Sequence, residues 1–258
     1  MTTIPTKVQS RLSAGLKKFQ SIVSSAKAKD INESDTVVII TDMLSELFGY
    51  DKYSEITSEQ AVKKTYCDLA IKIDNKIRFI IEVKAAGLDL KEDHIRQAVD
   101  YGSNSGVEWV ILTNSNDWKV FKIIFGKPVS HELVYDFAFT QLNVKKENDI
   151  ELLYYVCKES LGKSLLEDFH IQKQVMSRFF LGQLILNDAV IDTIRKTLKK
   201  VVPEVKVLNE EIKQVIEQEV LKREVLEGKP AEDAKKRISK ALKALSKDAN
   251  PKTEVNIE

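Results

Sequence analysis

Cysteine and histidine are scarce in this chain of 258 residues, which has two cysteines, Cys67 and Cys157, and three histidines. So few cysteines favour a reducing compartment and argue against a fold held together by disulfides. The histidines are scattered, and no group of cysteines and histidines has the spacing of zinc ligands. The sequence therefore gives no indication of a disulfide-rich secreted domain or of a structural zinc site.

Long apolar runs and a strong charge imbalance are also lacking. No apolar stretch approaches the length of a membrane-spanning helix, and the N-terminus lacks the apolar core of a signal peptide. We therefore predict a cytoplasmic protein that makes no contact with a membrane. The formal net charge is only +1, so binding of nucleic acid must use local basic patches rather than the charge of the whole protein.

One local basic patch is the N-terminus. Residues 1–30 are predicted to form a separate basic helix over 5–29, and Asp30 is the only acid in this segment. Its six basic residues are Lys7, Arg11, Lys17, Lys18, Lys27 and Lys29. Such a helix suits a phosphate backbone near an active site, but a solvated helix face is an equally good interpretation.

The second predicted part, residues 31–147, alternates helix and strand patterns. The predicted elements are a helix over 33–48, a short strand within 51–65, strands at 66–73 and 77–84, a helix over 91–102, and strands at 107–113 and 118–125. Gly49 and Gly102 are predicted to end the two helices. A hydrophobic content of 43% is enough for a real core. This order predicts an α/β fold, namely an α/β/α sandwich with a mixed central sheet.

The third predicted part, residues 148–258, is an all-α extension. Its helical patterns cover 150–160, 165–187, 190–201, 208–226 and 231–246. A heptad-like spacing from Val205 to Val215 allows a short contact with a second copy or a partner protein, but not a long coiled coil. Residues 203–258 carry twelve basic and twelve acidic residues, which suits a solvated surface better than a DNA clamp.

Charged residues interrupt the apolar runs of the predicted hairpin 66–84. Asp68 lies in its first strand, and Glu82 and Lys84 lie at the end of the second, where charges are unfavourable unless a metal or substrate compensates them. An odd-length turn centred on Asn75 would put Asp68 directly opposite Glu82, with Cβ atoms about 5 Å apart. Carboxylates this close repel each other unless a cation such as Mg²⁺ lies between them. An ordinary solvated ion pair between the strands is the alternative interpretation.

The helix after the hairpin adds Gln97 and Tyr101, which are one turn apart and are predicted to share a face. With the preceding Asp68 and Glu-x-Lys motif, this pattern resembles the PD-(D/E)xK nuclease superfamily, and more narrowly the N-terminal nuclease domain of type I restriction enzyme R subunits. The resemblance covers residues 30–145 and implies a restriction-endonuclease-like fold. One departure is Cys67, which precedes the aspartate where proline is usual.

The resemblance implies a Mg²⁺-dependent endonuclease that hydrolyses DNA, with Mn²⁺ able to replace Mg²⁺. Asp68, Glu82 and the backbone carbonyl of Val83 would bind the ion. Lys84 would position the attacking water or balance charge on the phosphate. A catalytically silent binding or regulatory module that keeps the nuclease fold is the alternative, as is a nuclease that acts on RNA or branched DNA.

Three further residues are implied by the same resemblance. Gln97 and Tyr101 would support the site or contact the DNA backbone, although a helix face that packs on the sheet would show the same pattern. Glu33 matches an acid that supports the site in such domains. It would do so either as a metal ligand or by contact with the residues that bind the metal. It also lies where an acid would simply stabilise the start of a helix.

A phosphate-binding loop is suggested by Gly162, Lys163 and Ser164, but the rest of its motif is missing. The required earlier glycine is replaced by Cys157, and the preceding segment 152–159 has a helical rather than a strand pattern. We therefore predict no ATP site. The R subunits that this chain resembles carry a large ATP-driven motor, and 258 residues leave no room for one. The sequence predicts a stand-alone nuclease-like protein.

Overall fold

A computed structural model of the chain describes residues 3–62 and 65–248, and it describes side chains there except at 59–62, 65–66 and 246–248. The chain divides into two compact units, Met1–Glu167 and Asp168–Glu258. The boundaries predicted after residues 30 and 147 both fall inside the first unit.

The first unit contains a sheet and the helices that surround it. Its helices are α1 (Thr6–Ala28), α2 (Glu33–Asp42, continued by a π-helical turn at Met43–Leu47), α3 (Arg96–Ser105, preceded by a 3₁₀ turn at Glu92–Ile95), α4 (Glu147–Tyr154) and α5 (Lys158–Leu161). Its strands are β1 (Ile56–Val62), β2 (Thr65–Ile73), β3 (Lys76–Val83), β4 (Trp109–Thr113), β5 (Asp117–Ile124) and β6 (Ser130–Ala138). The helices and strands predicted over 5–125 are confirmed. The single helix predicted over 150–160 is wrong, because α4 ends at Tyr154 and α5 begins at Lys158, and β6 was not predicted.

The six strands form one sheet in the order β1 to β6. Neighbouring strands are antiparallel except β3 and β4, which are parallel. A parallel pair needs a crossover connection, and α3 lies in the segment between these two strands. The mixed sheet therefore has two parallel central strands whose C-terminal ends lie side by side.

Helices cover both faces of the sheet. On one face, residues of β2, β3 and β4 form a buried cluster with α3 that includes Ala70, Ile80, Leu112, Ala98 and Tyr101. On the other face, Phe48 packs against Trp118 of β5, with ring centroids 5.3 Å apart. This layered arrangement confirms the predicted α/β fold with a mixed sheet.

Helix α3 is longer than predicted, because Gly102 does not end it. A Cβ atom at Gly102 would lie only 2.4 Å from Cδ1 of Ile123 and 3.1 Å from the carbonyl oxygen of Val107. Glycine at this position lets the helix lie close to the sheet. The helix ends instead at Gly106, whose φ of +71° is a left-handed conformation that glycine adopts readily.

The β2–β3 hairpin reaches the predicted register by a different route. Only Asp74 and Asn75 form the turn, both with positive φ, instead of the odd-length turn that was predicted. A bulge at Ile71 and Lys72 then shifts the pairing by one residue. Beyond the bulge, Leu69 lies opposite Ile81, as the prediction required.

Helix α1 is an integral part of the first unit. Its apolar residues Val8, Leu12, Leu16, Phe19 and Val23 are buried. The guanidinium of Arg11 makes two 2.7 Å hydrogen bonds to the carboxylate of Glu159, and Lys18 pairs with Glu46. Two of the six basic residues of the predicted N-terminal basic helix are thus engaged in internal ion pairs. The other four, Lys7, Lys17, Lys27 and Lys29, are exposed.

The second unit is helical, with α6 beginning just before it. The elements are α6 (Leu165–Val175), α7 (Arg178–Ile185), α8 (Asp188–Val201), α9 (Asn209–Val215, continued by a π-helical turn at Ile216–Val220), α10 (Arg223–Leu226) and α11 (Lys229–Asp248). The single helix predicted over 165–187 is wrong, because Ser177 interrupts it and its side chain caps α7 by accepting the N–H of Phe180. Among the described residues, no helix is both long and apolar enough to cross a membrane.

Candidate active site

Glu82 is the most unusual side chain of the sheet. It lies near the end of β3 and is only 2% exposed. Its Oε1 accepts a 2.7 Å hydrogen bond from Nζ of Lys84. Its Oε2 is buried and has no hydrogen-bond partner among the described residues. A buried carboxylate oxygen without a donor is unfavourable, so this atom is suited to binding a cation.

The protonation of Glu82 reflects this environment. Burial raises the pKa of Glu82 from 4.5 to about 7, and the nearby charge of Asp68 adds to the rise. The hydrogen bond from Lys84 acts in the opposite direction but does not cancel the effect of burial. The carboxyl group is therefore close to half-ionised at neutral pH, and a bound cation would favour its charged form.

Lys84 follows β3 and is held at both its backbone and its side chain. Its backbone N–H donates to the carbonyl of Thr113 at 2.9 Å, which continues the pairing with β4. Its Nζ lies 3.4 Å from Oε2 of Glu33 in addition to its bond with Glu82. Burial alone would lower the pKa of Lys84, but the hydrogen bond to Glu82 and the charges of the two glutamates raise it. The ammonium group therefore stays charged.

Asp68 completes the arrangement from the neighbouring strand. The pairing of Leu69 with Ile81 continues by one step to Asp68 and Glu82. Oδ2 of Asp68 accepts the backbone N–H of Val83 at 2.7 Å, which fixes the carboxylate beside the end of β3. The structure thus brings the two predicted acids and the predicted lysine together at one end of the sheet.

Glu33 reaches the same place from a distant part of the sequence. It is the first residue of α2, whose N-terminus is capped by Asn32 through a 2.9 Å hydrogen bond from the N–H of Asp35. The loop after Lys84 contacts this region, because the N–H of Ala86 donates to the carbonyl of Ile31 at 3.3 Å. The start of α2 is therefore positioned beside the Glu-x-Lys segment, and this places Glu33 next to Lys84.

Gln97 and Tyr101 have different environments, although the sequence predicted a shared face. Gln97 is exposed at the start of α3, whereas Tyr101 is fully buried in the cluster between α3 and the sheet. Burial and the neighbouring thiol of Cys67 raise the pKa of Tyr101 to about 12. A direct contact of Tyr101 with DNA is therefore wrong, because its side chain has no exposed surface. A supporting role through packing is compatible with this position.

This position leads to a prediction for Tyr101→Phe. The buried hydroxyl has no hydrogen-bond partner among the described residues, so its removal is expected to change the free energy of unfolding by less than about 1 kcal/mol. The DNA cleavage that the resemblance implies should keep the wild-type rate in this variant, whereas Tyr101→Ala should destabilise the fold by about 3–5 kcal/mol. Urea unfolding and a cleavage assay on both variants measure this. A large loss of cleavage in a stable Tyr101→Phe protein would show that the hydroxyl acts in the reaction.

Two residues that the sequence did not single out hold the segment after Lys84. Nδ2 of Asn114 donates to the carbonyl of Leu88 at 2.8 Å, and Nζ of Lys119 donates to the carbonyl of Leu90 at 3.0 Å. Asn114 is itself fixed, because its Oδ1 accepts the N–H of Asp117 at 2.7 Å. Its only sequence signal was its place between the strands predicted at 107–113 and 118–125, which does not reveal a partner 26 residues away.

The donor set limits which ions the site can take. Among the described residues, no group of three or more histidine, cysteine, aspartate or glutamate side chains is arranged to hold a metal. Asp68 and Glu82 provide two carboxylates, and Val83, which follows Glu82 in sequence, adds a backbone carbonyl. Such a set does not suit a closed zinc or calcium site, but Mg²⁺ commonly binds through one or two carboxylates and keeps water and phosphate as its other ligands.

The aspartate on β2 and the Glu-x-Lys segment that ends β3 lie on neighbouring strands of the mixed sheet of this α/β unit. Residues 39–134 match the family model of the type I restriction enzyme R protein N terminus (HSDR_N). The matched region contains Asp68, Glu82, Lys84, Gln97 and Tyr101, and it begins after Glu33. The predicted resemblance is confirmed over this region, and it supports a restriction-enzyme-like role.

Comparison with the curated proteins and comparison with the solved structures each gave no significant match.

Proposed function

We propose that this protein is a Mg²⁺-dependent endonuclease that hydrolyses phosphodiester bonds of DNA. The observation that carries the proposal is the buried Oε2 of Glu82, which lacks a hydrogen-bond partner among the described residues. Glu82 lies on β3, and Asp68 lies on the neighbouring strand β2. The family match supports the same chemistry, because type I restriction enzymes act on DNA. In this proposal the site is functional rather than a structural ion pair.

Asp68, Glu82 and the carbonyl of Val83 are the proposed ligands of Mg²⁺, and Mn²⁺ is expected to replace it. When bound, the ion would lower the pKa of its water and stabilise charge on the phosphate. Asp68 is oriented for this role by the N–H of Val83, which leaves the carboxylate beside Glu82. The raised pKa of Glu82 fits an acid that is fully charged only when a cation is present.

Lys84 acts on the water and on the phosphate in this proposal. Its ammonium group has three N–H donors, of which one bonds to Glu82 and a second lies within reach of Glu33. A third donor can hold the attacking water or a phosphate oxygen. Glu33 keeps the lysine charged and in place, and the exposed Gln97 is proposed to contact the DNA backbone.

Metal removal tests the proposed function directly. The full chain is expected to nick and linearise supercoiled plasmid in the presence of Mg²⁺ or Mn²⁺ and to do neither in EDTA. Asp68→Asn should lose this activity, because it removes one of two charged ligands. The matched control is Asp100→Asn, since Asp100 is an exposed acid on α3. Cleavage that continues in EDTA, or that survives in Asp68→Asn, would contradict the proposal.

A second candidate is a catalytically silent module that binds nucleic acid or a partner protein. It is favoured by the closed Glu82–Lys84 pair, which partly neutralises the site without a metal, and by the lack of a third acidic ligand among the described residues. The two candidates separate in one experiment. A mobility shift of DNA without metal, together with no cutting in Mg²⁺, Mn²⁺, Co²⁺ or Ni²⁺, would favour the module.

A further inference from the structure

The chain between Lys84 and α3 is a loop that is tied to the rest of the unit at regular intervals. Residues 84–91, which we call the tethered loop, connect β3 to the 3₁₀ turn before α3. Every second residue of this loop is hydrogen-bonded to a different part of the unit, and these residues are Lys84, Ala86, Leu88 and Leu90. The first two bond to backbone carbonyls, whereas the last two are held by the side chains of Asn114 and Lys119. The course of the loop therefore depends on two side chains that lie outside it.

Asn114 is the more buried of these two side chains, with an exposure of 2%. Its Oδ1 accepts the backbone N–H groups of Asn116 at 3.1 Å and Asp117 at 2.7 Å, which fixes the turn between β4 and β5. Its Nδ2 donates to the carbonyl of Leu88 at 2.8 Å. Because Oδ1 accepts from two N–H groups, the amide cannot be reversed without the loss of both bonds. The turn therefore sets the direction of the N–H donor that holds the loop.

The turn alone does not require an amide at position 114. A carboxylate oxygen of aspartate would accept the same two N–H groups, since aspartate and asparagine both form turns of this kind. Among the described residues, the partners of Nδ2 are the carbonyl of Leu88 and, at a longer distance of 3.4 Å, Oδ2 of Asp117. What asparagine adds to the turn is therefore a donor for the tethered loop.

Leu88 is held by both sides of its backbone. Its carbonyl accepts from Asn114, and its N–H donates to the carbonyl of Ala85 at 3.0 Å. Its side chain is 42% exposed, and its neighbours Gly87 and Asp89 are exposed as well. A segment that buries so little apolar surface is ordered mainly by its hydrogen bonds. The bond from Asn114 therefore matters for the shape of the whole turn from Ala85 to Leu88.

This turn in the loop contacts the chain that carries Glu33. The N–H of Ala86 donates to the carbonyl of Ile31 at 3.3 Å, and Ile31 lies two residues before Glu33. Oε2 of Glu33 is in turn 3.4 Å from Nζ of Lys84. A continuous series of hydrogen bonds and short chain segments therefore joins the buried amide of Asn114 to the pair of Glu33 and Lys84.

We propose that Asn114 is a positioning residue that keeps Glu33 beside Lys84, and this inference rests on the proposed function, which that pair serves. Without the donor at position 114 the tethered loop shifts, and the contact between Ala86 and Ile31 is lost with it. Lys84 then loses one of its two acidic partners, and its ammonium group is no longer fixed for the attacking water or the phosphate. A displacement of about 1 Å in such a group costs about 10²-fold in rate.

The test variant is Asn114→Asp, which replaces a single N–H donor group by an oxygen. It keeps an acceptor for the turn but sets an oxygen against the carbonyl of Leu88, so that two acceptors repel each other. The matched control is Asn116→Asp. Asn116 is buried in the same turn and its Nδ2 donates to Oδ1 of Asp117 at 2.8 Å, whereas its Oδ1 accepts from Thr140. Both variants place a new carboxylate next to Asp117, but only Asn114→Asp does so facing the tethered loop.

Cross-linking with a carbodiimide measures the position of Glu33 without any need for activity. The reagent joins a lysine to a carboxylate that is in contact with it, and mass spectrometry of the digested full chain identifies the joined pair. Wild type and Asn116→Asp are expected to give the Glu33–Lys84 cross-link, and Asn114→Asp should lose most of it. The internal standard is the exposed pair of Lys52 and Asp42, 2.7 Å apart, whose cross-link should be equal in all three proteins.

Plasmid cleavage in Mg²⁺ measures the consequence for the reaction, at a temperature where circular dichroism shows all three proteins folded. Asn114→Asp is expected to have a kcat about 10²-fold below wild type with a KM within about 3-fold of it. Asn116→Asp should keep both constants within about 3-fold of wild type. A merely structural role would instead affect the two variants alike, because both alter the same buried turn.

The two measurements separate this inference from the proposed function. If the wild type never cuts but Asn114→Asp loses the Glu33–Lys84 cross-link, the nuclease proposal fails and the positioning role stands. If the wild type cuts and Asn114→Asp keeps the cross-link, the inference fails and the nuclease proposal stands. A wild type without this cross-link, equal losses in Asn114→Asp and Asn116→Asp, or a lost cross-link with unchanged kcat would also overturn the inference.

Discussion

Replacing Lys84 with alanine is expected to lower Mg²⁺-dependent DNA cleavage by about 10²–10³-fold, the usual effect of removing one donor that stabilises developing charge. The change removes the N–H donor proposed for the water or phosphate oxygen. It also removes the charge that opposes the raised pKa of Glu82, so this carboxyl group would be protonated up to a higher pH and would bind the ion less well. An assay of plasmid cleavage with the protein in excess over the plasmid measures the rate of the reaction step itself.

The fold should survive this substitution. The backbone N–H of residue 84 keeps its bond to Thr113 whatever the side chain, and the side chain of Lys84, which is 17% exposed, is not part of the apolar core. The matched control is Lys76→Ala, which removes an exposed lysine from the same strand and should leave the rate within about 2-fold, as is usual away from the chemistry. A folded Lys84→Ala protein that cleaves like wild type would refute the role given to this lysine.

Replacing Glu82 with glutamine is expected to stabilise the metal-free protein while it abolishes cleavage. The pKa of Glu82 rises from 4.5 in the unfolded chain to about 7 in the fold, so the folded state binds more protons between these two values. The free energy of unfolding of the wild type should therefore fall as the pH rises from 4.5 to 7, by about 3 kcal/mol for this one group. Glutamine resembles the protonated acid and does not titrate, so the variant should lack this loss.

Tryptophan fluorescence makes the comparison specific to the first unit. Both tryptophans of the chain, Trp109 and Trp118, lie in the sheet, on β4 and β5. Urea unfolding in EDTA should show Glu82→Gln about 3 kcal/mol more stable than wild type at pH 8 and nearly equal to it at pH 4.5. Addition of Mg²⁺ should stabilise wild type and leave the variant unchanged. The control is Glu92→Gln, whose side chain is 85% exposed and should not alter stability.

If Glu82 and Lys84 form only an ordinary structural ion pair, we expect the opposite result. In that case its bond to Lys84 would stabilise the fold, and Glu82→Gln would be less stable than wild type at pH 8 whether or not Mg²⁺ is present. The sign of this one difference therefore separates the two interpretations that the sequence left open. It does so without depending on any choice of DNA substrate.

The sequence was most informative where local rules decide the structure. Apolar runs and turn residues identified five of the six strands in some form, and the Glu-x-Lys spacing located the site. The register of the hairpin was correct, although the turn was not. The asparagine at position 75 allowed a two-residue turn with positive φ, and the bulge at Ile71 and Lys72 restored the pairing. A bulge is set by packing on both faces of the sheet, which a single strand pattern does not show.

The sequence was less informative where distant segments meet. It predicted a shared face for Gln97 and Tyr101, but helical spacing does not show how deeply a helix lies on the sheet. Gly102 allows that close approach, which buries Tyr101, and its role became visible only with Ile123 beside it. The same holds for Asn114, whose partner Leu88 lies in a loop with no regular structure. Strand β6 was missed because it pairs only with β5, at the edge of the sheet, and its middle is interrupted by a bulge.

The most direct test of the central claim is a crystal structure of the full chain grown with Mn²⁺, with data collected at the manganese absorption edge. The account predicts one anomalous peak bounded by Asp68 and Glu82, with Oε2 of Glu82 as a ligand, and no such peak in crystals of Glu82→Gln. A protein that binds Mn²⁺ elsewhere, or that keeps Glu82 bonded only to Lys84 at saturating Mn²⁺, would contradict it.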